Sequence, residues 1–492
     1  MSWQGGIVWC DCGLLHPSGI TNSREIDPIN SLMDSFYADT AVRRRLVEFL
    51  GGETLEQVTA LYLTHSDGCQ FQRSELHAPT DLDWFLERDL DIARSLADRD
   101  SLLMHLDVEY VNFDRPGEAY VDPVRTFELQ EPVVRTIERV LLEWGIAPLH
   151  LVTGQGHHFV WRVRRSSEVA RRIVKLSPAP ETVDACMERL GSGPLSALRR
   201  ESQEAFSATS LLMEFIAHRV KSEAAALCEI PVEITAVHVS PGATGRREIV
   251  SVDISEYGDP LHTRMVRMPF TNYLKPWLCG VVKGLGIEKK LRMFRAVPLF
   301  EMNVRQALEI RQDERQLLDL ASRACTRIPL QEDGSANLLD EYLKSTLRRF
   351  HLYYYASAHD PREIWQRTYD LTPLNQLPAS VEDLLLWPND RLLKPAGIQL
   401  VTRVLLADGW HPRHIAGLIR SKFENPIFGW GVDWHDYEPS TRADFYTRLF
   451  AGLWATGVNT LPCHDGEESG AMDLRMRFMH RDDLALFTQS AS

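Results

Sequence analysis

No apolar run in these 492 residues approaches the ~20 needed to cross a bilayer. The first residues, Met1-Ser-Trp-Gln-Gly-Gly6, lack the basic and apolar regions of a signal peptide, so a cytoplasmic location without a membrane partner is expected. No Gly-x-x-x-x-Gly-Lys-Ser/Thr motif occurs, which excludes a P-loop motor in this chain and makes any helicase a separate partner. Internal repeats and low-complexity stretches are absent. Excess positive charge is absent too: the net charge is −14, which argues against a protein that coats nucleic acid in bulk. A local basic groove remains compatible with that balance, because steering depends on where charge lies.

Cysteine is sparse and ungrouped. The eight, Cys10, Cys12, Cys69, Cys186, Cys228, Cys279, Cys325 and Cys463, suit reduced thiols. Only Cys10 and Cys12 with His16, joined by Cys69 or His77, could assemble zinc. The Cys-x-Cys spacing and the missing second knuckle argue against a structural zinc, and the lack of grouping argues against an iron–sulfur cluster.

What the chain has is an ordinary globular composition, 44% apolar and 25% charged. Its length suggests two to four domains. The informative stretch is Leu102-Leu-Met-His-Leu-Asp-Val-Glu-Tyr-Val111, an apolar, β-prone run. Strand side chains alternate faces, so Asp107 and Glu109 project on the same side, roughly 6–7 Å apart. A solvated strand face would show the same spacing. Two carboxylates on a rigid strand also suit divalent ions, as nucleotidyl transfer requires. Further on, Thr153-Gly-Gln-Gly-His-His158 lies between two strand-like runs, and Asp253 closes the apolar run from Ile249. Gly154 and Gly156 would let backbone N–H groups approach a polyanion, Thr153 offers a hydroxyl, and His158 could donate to a phosphate oxygen. A bare hairpin turn is the plain alternative.

Basic side chains concentrate twice. One run holds Arg162, Arg164, Arg165, Arg171, Arg172 and Lys175; the other spans 264–295 and includes Arg264, Arg267, Lys275, Lys283, Lys289, Lys290, Arg292 and Arg295. The periodicity predicts a helix through 81–98, a helix from Glu131 to Trp144 with Pro132 in its first turn, and loops near 331–337 and 371–379. Strands are expected at 148–152, 158–163, 230–239 and 247–254. This is an α+β layout, with a catalytic domain over 1–290 carrying a helical insertion at 166–228. A helical connection (291–378), a helical C-terminal domain (379–470) and a tail (471–492) follow. Within the third, 396–406 and 415–421 read as helix, turn, helix, a unit common to DNA-binding domains and helical bundles. Arg403, Arg413, His414, Arg420 and Lys422 give it positive charge.

The order of these motifs resembles the archaeo-eukaryotic primase superfamily. That superfamily shows an apolar strand ending in Asp-x-Asp/Glu, a small-x-His motif after a glycine-rich turn, and a later apolar-Asp strand. Here these are Leu106-Asp-Val-Glu109, Gly156-His-His158 and Val252-Asp253. The family's nucleotide-embracing loop, Arg-Leu-Pro-Gly-Ser-Leu-His-x-Lys, has a counterpart in Arg267-Met-Pro-Phe-Thr-Asn-Tyr-Leu-Lys275. Phe270 replaces the glycine and Tyr273 the histidine, which alters how a triphosphate is gripped. The resemblance covers roughly residues 100–280. It implies an RRM-like primase core packed with a second α/β unit, followed by a helical C-terminal region. It also implies Asp107, Glu109 and Asp253 as ligands of Mg²⁺ or Mn²⁺, His158 and Arg267 as phosphate contacts, and Thr153 and Lys275 as supporting contacts. The expected activity is primer synthesis or extension from NTPs or dNTPs on a single-stranded template. A non-polymerising primase-fold binder in replication initiation or defence, and a metal-dependent phosphodiesterase, are the alternatives.

Overall fold

The computed structural model describes residues 35–66, 76–176, 198–237, 239–287, 291–430 and 438–459, two short strands near the N-terminus, and residues 183, 184 and 187. Cys10, Cys12, Cys69, the side chain of His16 and the tail 471–492 lie outside the described residues. Strands β1 (Ile7–Trp9) and β2 (Leu15–Pro17) pair with each other. The others are β3 (Leu63–His65), β4 (Ile92–Ser95), β5 (Ser101–Asn112), β6 (Leu149–Val152), β7 (Gly156–Arg164), β8 (Val232–Ile234), β9 (Glu248–Asp253), β10 (Met265–Arg267) and β11 (Val297–Pro298). One sheet runs β10-β4-β3 and a larger one runs β11-β6-β7-β5-β9-β8. Pairing is antiparallel except between β8 and β9. With its many helices, the chain has a mixed α+β architecture.

Strand β5 sits in the middle of the larger sheet because it is apolar on both faces. All its residues are buried except Asp107 and Glu109, so the carboxylate pair marks where one face opens. Helix α1 (Thr40–Phe49) starts on an Asp39 cap. Helix α2 (Pro123–Glu143) backs the opposite face, with Phe127 edge-on to His157 at 5.1 Å between ring centres. Helix α3 (Arg200–Ala224) lies beside α2, tied to it by Arg139 with Glu223 and Arg219 with Glu143.

Three local expectations are corrected. The helix expected from Glu131 begins at Pro123, where Asp122 caps the Arg125 N–H, and Pro132 lies inside it. The helical pattern over 81–98 is a five-residue helix, Leu82–Leu86, followed by β4. Asp89 takes a positive φ of 52° that ends the helix, and strand pairing on both edges of β4 outweighs helical periodicity. The loop expected at 331–337 is the start of helix α4 (Glu332–Lys344). Gly334 is a close-approach residue there: a Cβ on it would stand 2.7 Å from the Gly145 carbonyl oxygen.

The C-terminal helices are α5 (Thr346–Ala356), α6 (Pro395–Ala407), α7 (Pro412–Glu424) and α8 (Pro439–Ala455). They share one continuous apolar core with the sheet region, from Phe36 to Trp454. Helix α7, the second helix of the helix–turn–helix pattern, is itself core. Arg413 is buried against Asp444, Lys422 against Asp370 at 3.6 Å, and Arg420 pairs with Glu424 at 2.6 Å. Arg413 and Lys422 are thus committed inside the protein, whereas Arg420 is part-exposed and paired along its own helix. Among the described residues, no helix is long and apolar enough to cross a membrane.

A buried polar network joins α3 to α5 and α8. Glu214 accepts from His351 Nε2 at 3.1 Å and Arg448 Nε at 2.9 Å. Burial raises its carboxyl, but His351 and Arg448 outweigh this and hold it at about 2, against an ordinary 4.5. Burial lowers His218 from 6.5 to about 4, with Glu214 opposing. Both shifts act in one direction. The depressed carboxyl contributes stability above its unfolded value and loses it as pH falls toward 2; the neutral histidine contributes above about 6.5 and loses it as pH falls toward 4. Urea melts between pH 7 and 4 should therefore show unfolding free energy falling with acid. A midpoint independent of pH over that window would contradict the assignment.

Candidate functional site

The register of three strands assembles the site. Asp107 on β5 stands opposite His158 on β7 and opposite Asp253 on β9. Directly paired residues share a face, with Cβ atoms about 5 Å apart, so the three form a row across the sheet. Glu109 projects on the same face, two residues along β5, where its ladder partners are Gly156 and Ser251. All three sequence motifs therefore converge. Like charges directly opposite are destabilising, and Asp107 with Asp253 is such a pair.

The structure adds a fourth carboxylate, Glu256, in the short turn Ser255–Gly258 after β9. Its Oε1 lies 2.9 Å from His105 Nδ1, and the His105 ring meets His158 edge-on at 4.7 Å between centres. Tyr257 fastens this turn by donating its hydroxyl to the His105 carbonyl at 3.2 Å. His105 was legible in the sequence, being two residues before Asp107 on one strand. Glu256 had no signal beyond standing three residues after Asp253.

The electrostatics follow from this crowding. Asp107 is pushed well above the usual carboxylate range by burial, then by Glu109, Asp253 and Glu256, with Lys275 pulling the other way. Burial, Glu256 and Glu109 push Asp253 up to about 7, although the Ser255 N–H donates to its Oδ1 at 2.8 Å. His158 is held well below its ordinary value by burial and by His105 and His150, so it is a neutral imidazole. Its Nε2 is 3.5 Å from Asp107 Oδ1, while its Nδ1 and Asp107 Oδ1 are buried without a hydrogen-bond partner. Lys275 is buried, which lowers its ammonium, but Tyr273 and Glu109 outweigh this and raise it.

The turn Thr153–Gly156 has structural duties. Thr153 closes it through both its N–H and its hydroxyl onto the Gly156 carbonyl, at 2.9 and 3.1 Å. A Cβ on Gly154 would stand 2.2 Å from the Tyr273 ring, and one on Gly156 only 1.7 Å from the Val108 carbonyl oxygen. These glycines are explained by close packing, with no free cradle beside them. Gly156→Ala is accordingly expected to cost at least about 3 kcal/mol, because β5 is held on both sides and cannot retreat. A denaturant melt reads this, and an unchanged midpoint would mean that β5 and β7 separate easily. Gln155, missed in the sequence, donates Nε2 to Glu109 Oε2 at 2.9 Å and accepts from the Tyr120 hydroxyl at 2.8 Å.

Arg267 is engaged internally. Its guanidinium pairs with buried Asp91 and lies 4.3 Å from the Tyr273 ring centre. Asp91 also accepts from the Leu274 N–H at 3.1 Å, so Arg267 and Asp91 fix the segment that delivers Lys275. Arg311, likewise unsignalled, donates to the Thr153 carbonyl at 2.5 Å and packs on Phe294.

Among the described residues, no group of three or more His, Cys, Asp or Glu side chains already stands where it could hold a metal ion. The donor chemistry nevertheless suits a hard cation: carboxylate oxygens on one face, one of them buried and unpartnered. No family model, no curated protein and no solved structure matches the chain.

Proposed function

We propose that the chain is a template-dependent nucleotidyltransferase of the primase or primase-polymerase type, extending or starting chains from NTPs or dNTPs. The observation that carries this reading is the row Asp107, Asp253 and His158 across three adjacent strands, with Glu109 beside it. Under this reading the larger sheet serves as the RRM-like primase core. In the reaction a primer 3′-hydroxyl oxygen bonds to the α-phosphorus, the bond to the β-phosphate oxygen breaks, and pyrophosphate leaves.

Asp107, Glu109 and Asp253 would hold Mg²⁺ or Mn²⁺, which when bound supplies charge neutralisation at the phosphates and activation of the hydroxyl. The chain's own side chains do the rest. Lys275, charged and beside the carboxylates, offers a donor to a triphosphate. His158, neutral, offers an N–H to a phosphate oxygen without adding charge. Gln155 holds Glu109 in place, and Arg267 orients the segment before Lys275. Burial and mutual repulsion raise the Asp107 and Asp253 carboxyls above their ordinary values, a crowding that a bound cation would relieve.

The internal engagement of Arg267 and Thr153 favours a second reading, a non-polymerising binder of nucleotide or nucleic acid. The two separate in a primer-synthesis assay on single-stranded DNA with labelled nucleotides and Mn²⁺ or Mg²⁺. Wild type is expected to form metal-dependent products and Asp107→Ala none. If wild type also fails, with or without an annealed primer, yet binds nucleotide, the second reading replaces the first.

A further inference from the structure

At the opposite end of β5 from the carboxylate row lies a separate cleft of about 670 Å³. Leu102, at the start of β5, lines it, five residues and thus about 17 Å from Asp107. Its walls come from chain segments brought together by the sheet: Leu61 before β3, the 98–102 corner, Arg165 after β7, the helix Glu168–Val174, and the start of α3. Among the described residues, three arginines line it, Arg99, Arg165 and Arg199.

The opposing charge is smaller than the composition suggests. Asp98 lines the cleft, but both its oxygens are occupied. Oδ2 accepts from Arg94 at 2.8 Å and Thr59 at 2.6 Å, and Oδ1 from the N–H groups of Asp100 and Ser101 at 3.0 Å each. Its charge is spent on Arg94. Among the described residues, Glu201 is then the one lining carboxylate left to face three arginines. Arg165 donates Nε to a carbonyl, that of Asp98 at 3.1 Å, and neither Arg99 nor Arg199 is ion-paired among the described residues. Both are exposed, so their charge is available to a ligand. The remaining wall is apolar, supplied by Leu61, Leu102, Val174 and Ala205, with the Ser202 hydroxyl among them.

A cavity of this size, apolar on one side and cationic on the other, suits a ligand with a flat apolar ring and a phosphate group. We infer that this cleft is a second phosphate-ligand site, taking a nucleoside polyphosphate or the 5′-phosphorylated end of a nucleic acid, separate from the carboxylate row. Guanidinium forks bind phosphate bidentately, and Leu61 and Leu102 offer a surface for the base. Because its charge comes from arginines, binding here needs no divalent ion.

That independence supplies the test. ATP is titrated calorimetrically into the full chain in EDTA, beside a short oligodeoxynucleotide carrying either a 5′-phosphate or a 5′-hydroxyl. One binding event per chain is expected. Arg99→Glu and Arg199→Glu, at exposed positions that leave the core untouched, should each weaken it at least tenfold, and Asp107→Asn should leave it within twofold. Binding by ATP but by neither oligonucleotide identifies a free nucleotide. A preference of fivefold or more for the 5′-phosphorylated oligonucleotide identifies a chain end. No binding in EDTA, equal binding of the two oligonucleotides without ATP binding, or indifference to both charge reversals would overturn the inference. None of these outcomes bears on whether the carboxylate row polymerises, which the metal-dependent assay decides.

Discussion

Primer synthesis by Asp253→Asn protein is expected to fall about a thousandfold at saturating nucleotide, about 4 kcal/mol in the barrier, while the protein remains folded. Asp253 is the end residue of β9 and faces Asp107 directly across the ladder. Asparagine keeps the volume and one oxygen that can accept from the Ser255 N–H. What it removes is a negative charge from a group of four carboxylates that has Lys275 as its nearby cation. Under the proposed reading, loss of that charge would weaken cation binding and the grip on the reacting phosphate together. It also relieves repulsion in the empty site, so the thermal midpoint should equal or exceed that of wild type. The two readouts move in opposite directions, which a general folding defect cannot produce. Activity within tenfold of wild type would mean that Asp253 touches no reacting group.

Replacing Arg448 with Met is expected to destabilise the chain by about 3–5 kcal/mol, a cost typical of breaking a buried ion pair from one side. Arg448 is fully enclosed and gives Nε to Glu214 at 2.9 Å, Nη1 to the Tyr355 hydroxyl at 2.6 Å and Nη2 to Ser210 at 3.2 Å. Methionine fills much of the space but leaves Glu214 hydrogen-bonded to His351, with His218 at 3.8 Å and no guanidinium to balance its charge. Glu214 belongs to α3 and Arg448 to α8, residues 234 apart, so the loss loosens the C-terminal helices from the sheet region. A double variant, Glu214→Leu with Arg448→Met, should recover much of the loss, because neither charge then stays buried alone. Urea melts measure both. If the single variant unfolds at the wild-type midpoint, the network carries little of the attachment.

The resemblance to primases rested on four short motifs, and the legible part of the site was the part written in strands. A period of two placed Asp107 and Glu109 on one face, and the apolar runs around His158 and Asp253 marked their strands. Misreadings came where a short pattern fits two structures. Leu82–Leu96 satisfies helical spacing, yet its second half pairs into a sheet on both edges. The stretch 331–337 reads as a loop, yet it opens a helix whose Gly334 is a contact point between two packed segments. Helix α7 looked basic, but Arg413 and Lys422 turn inward to Asp444 and Asp370, partners 31 and 52 residues away.

Around the carboxylates, local order thus decided which residues are strand and which face each takes, because side-chain alternation is a property of the strand itself. Register is not local. Which residue stands opposite Asp107 depends on how three distant segments align, and a slip of one position would turn Asp253 or His158 to the far side of the sheet. The arrival of Glu256 and Lys275, the capture of Arg267 by Asp91, and the cleft at the other end of β5 belong to the same class. Each joins groups far apart in sequence, so burial and charge at those points exist only once the chain has packed.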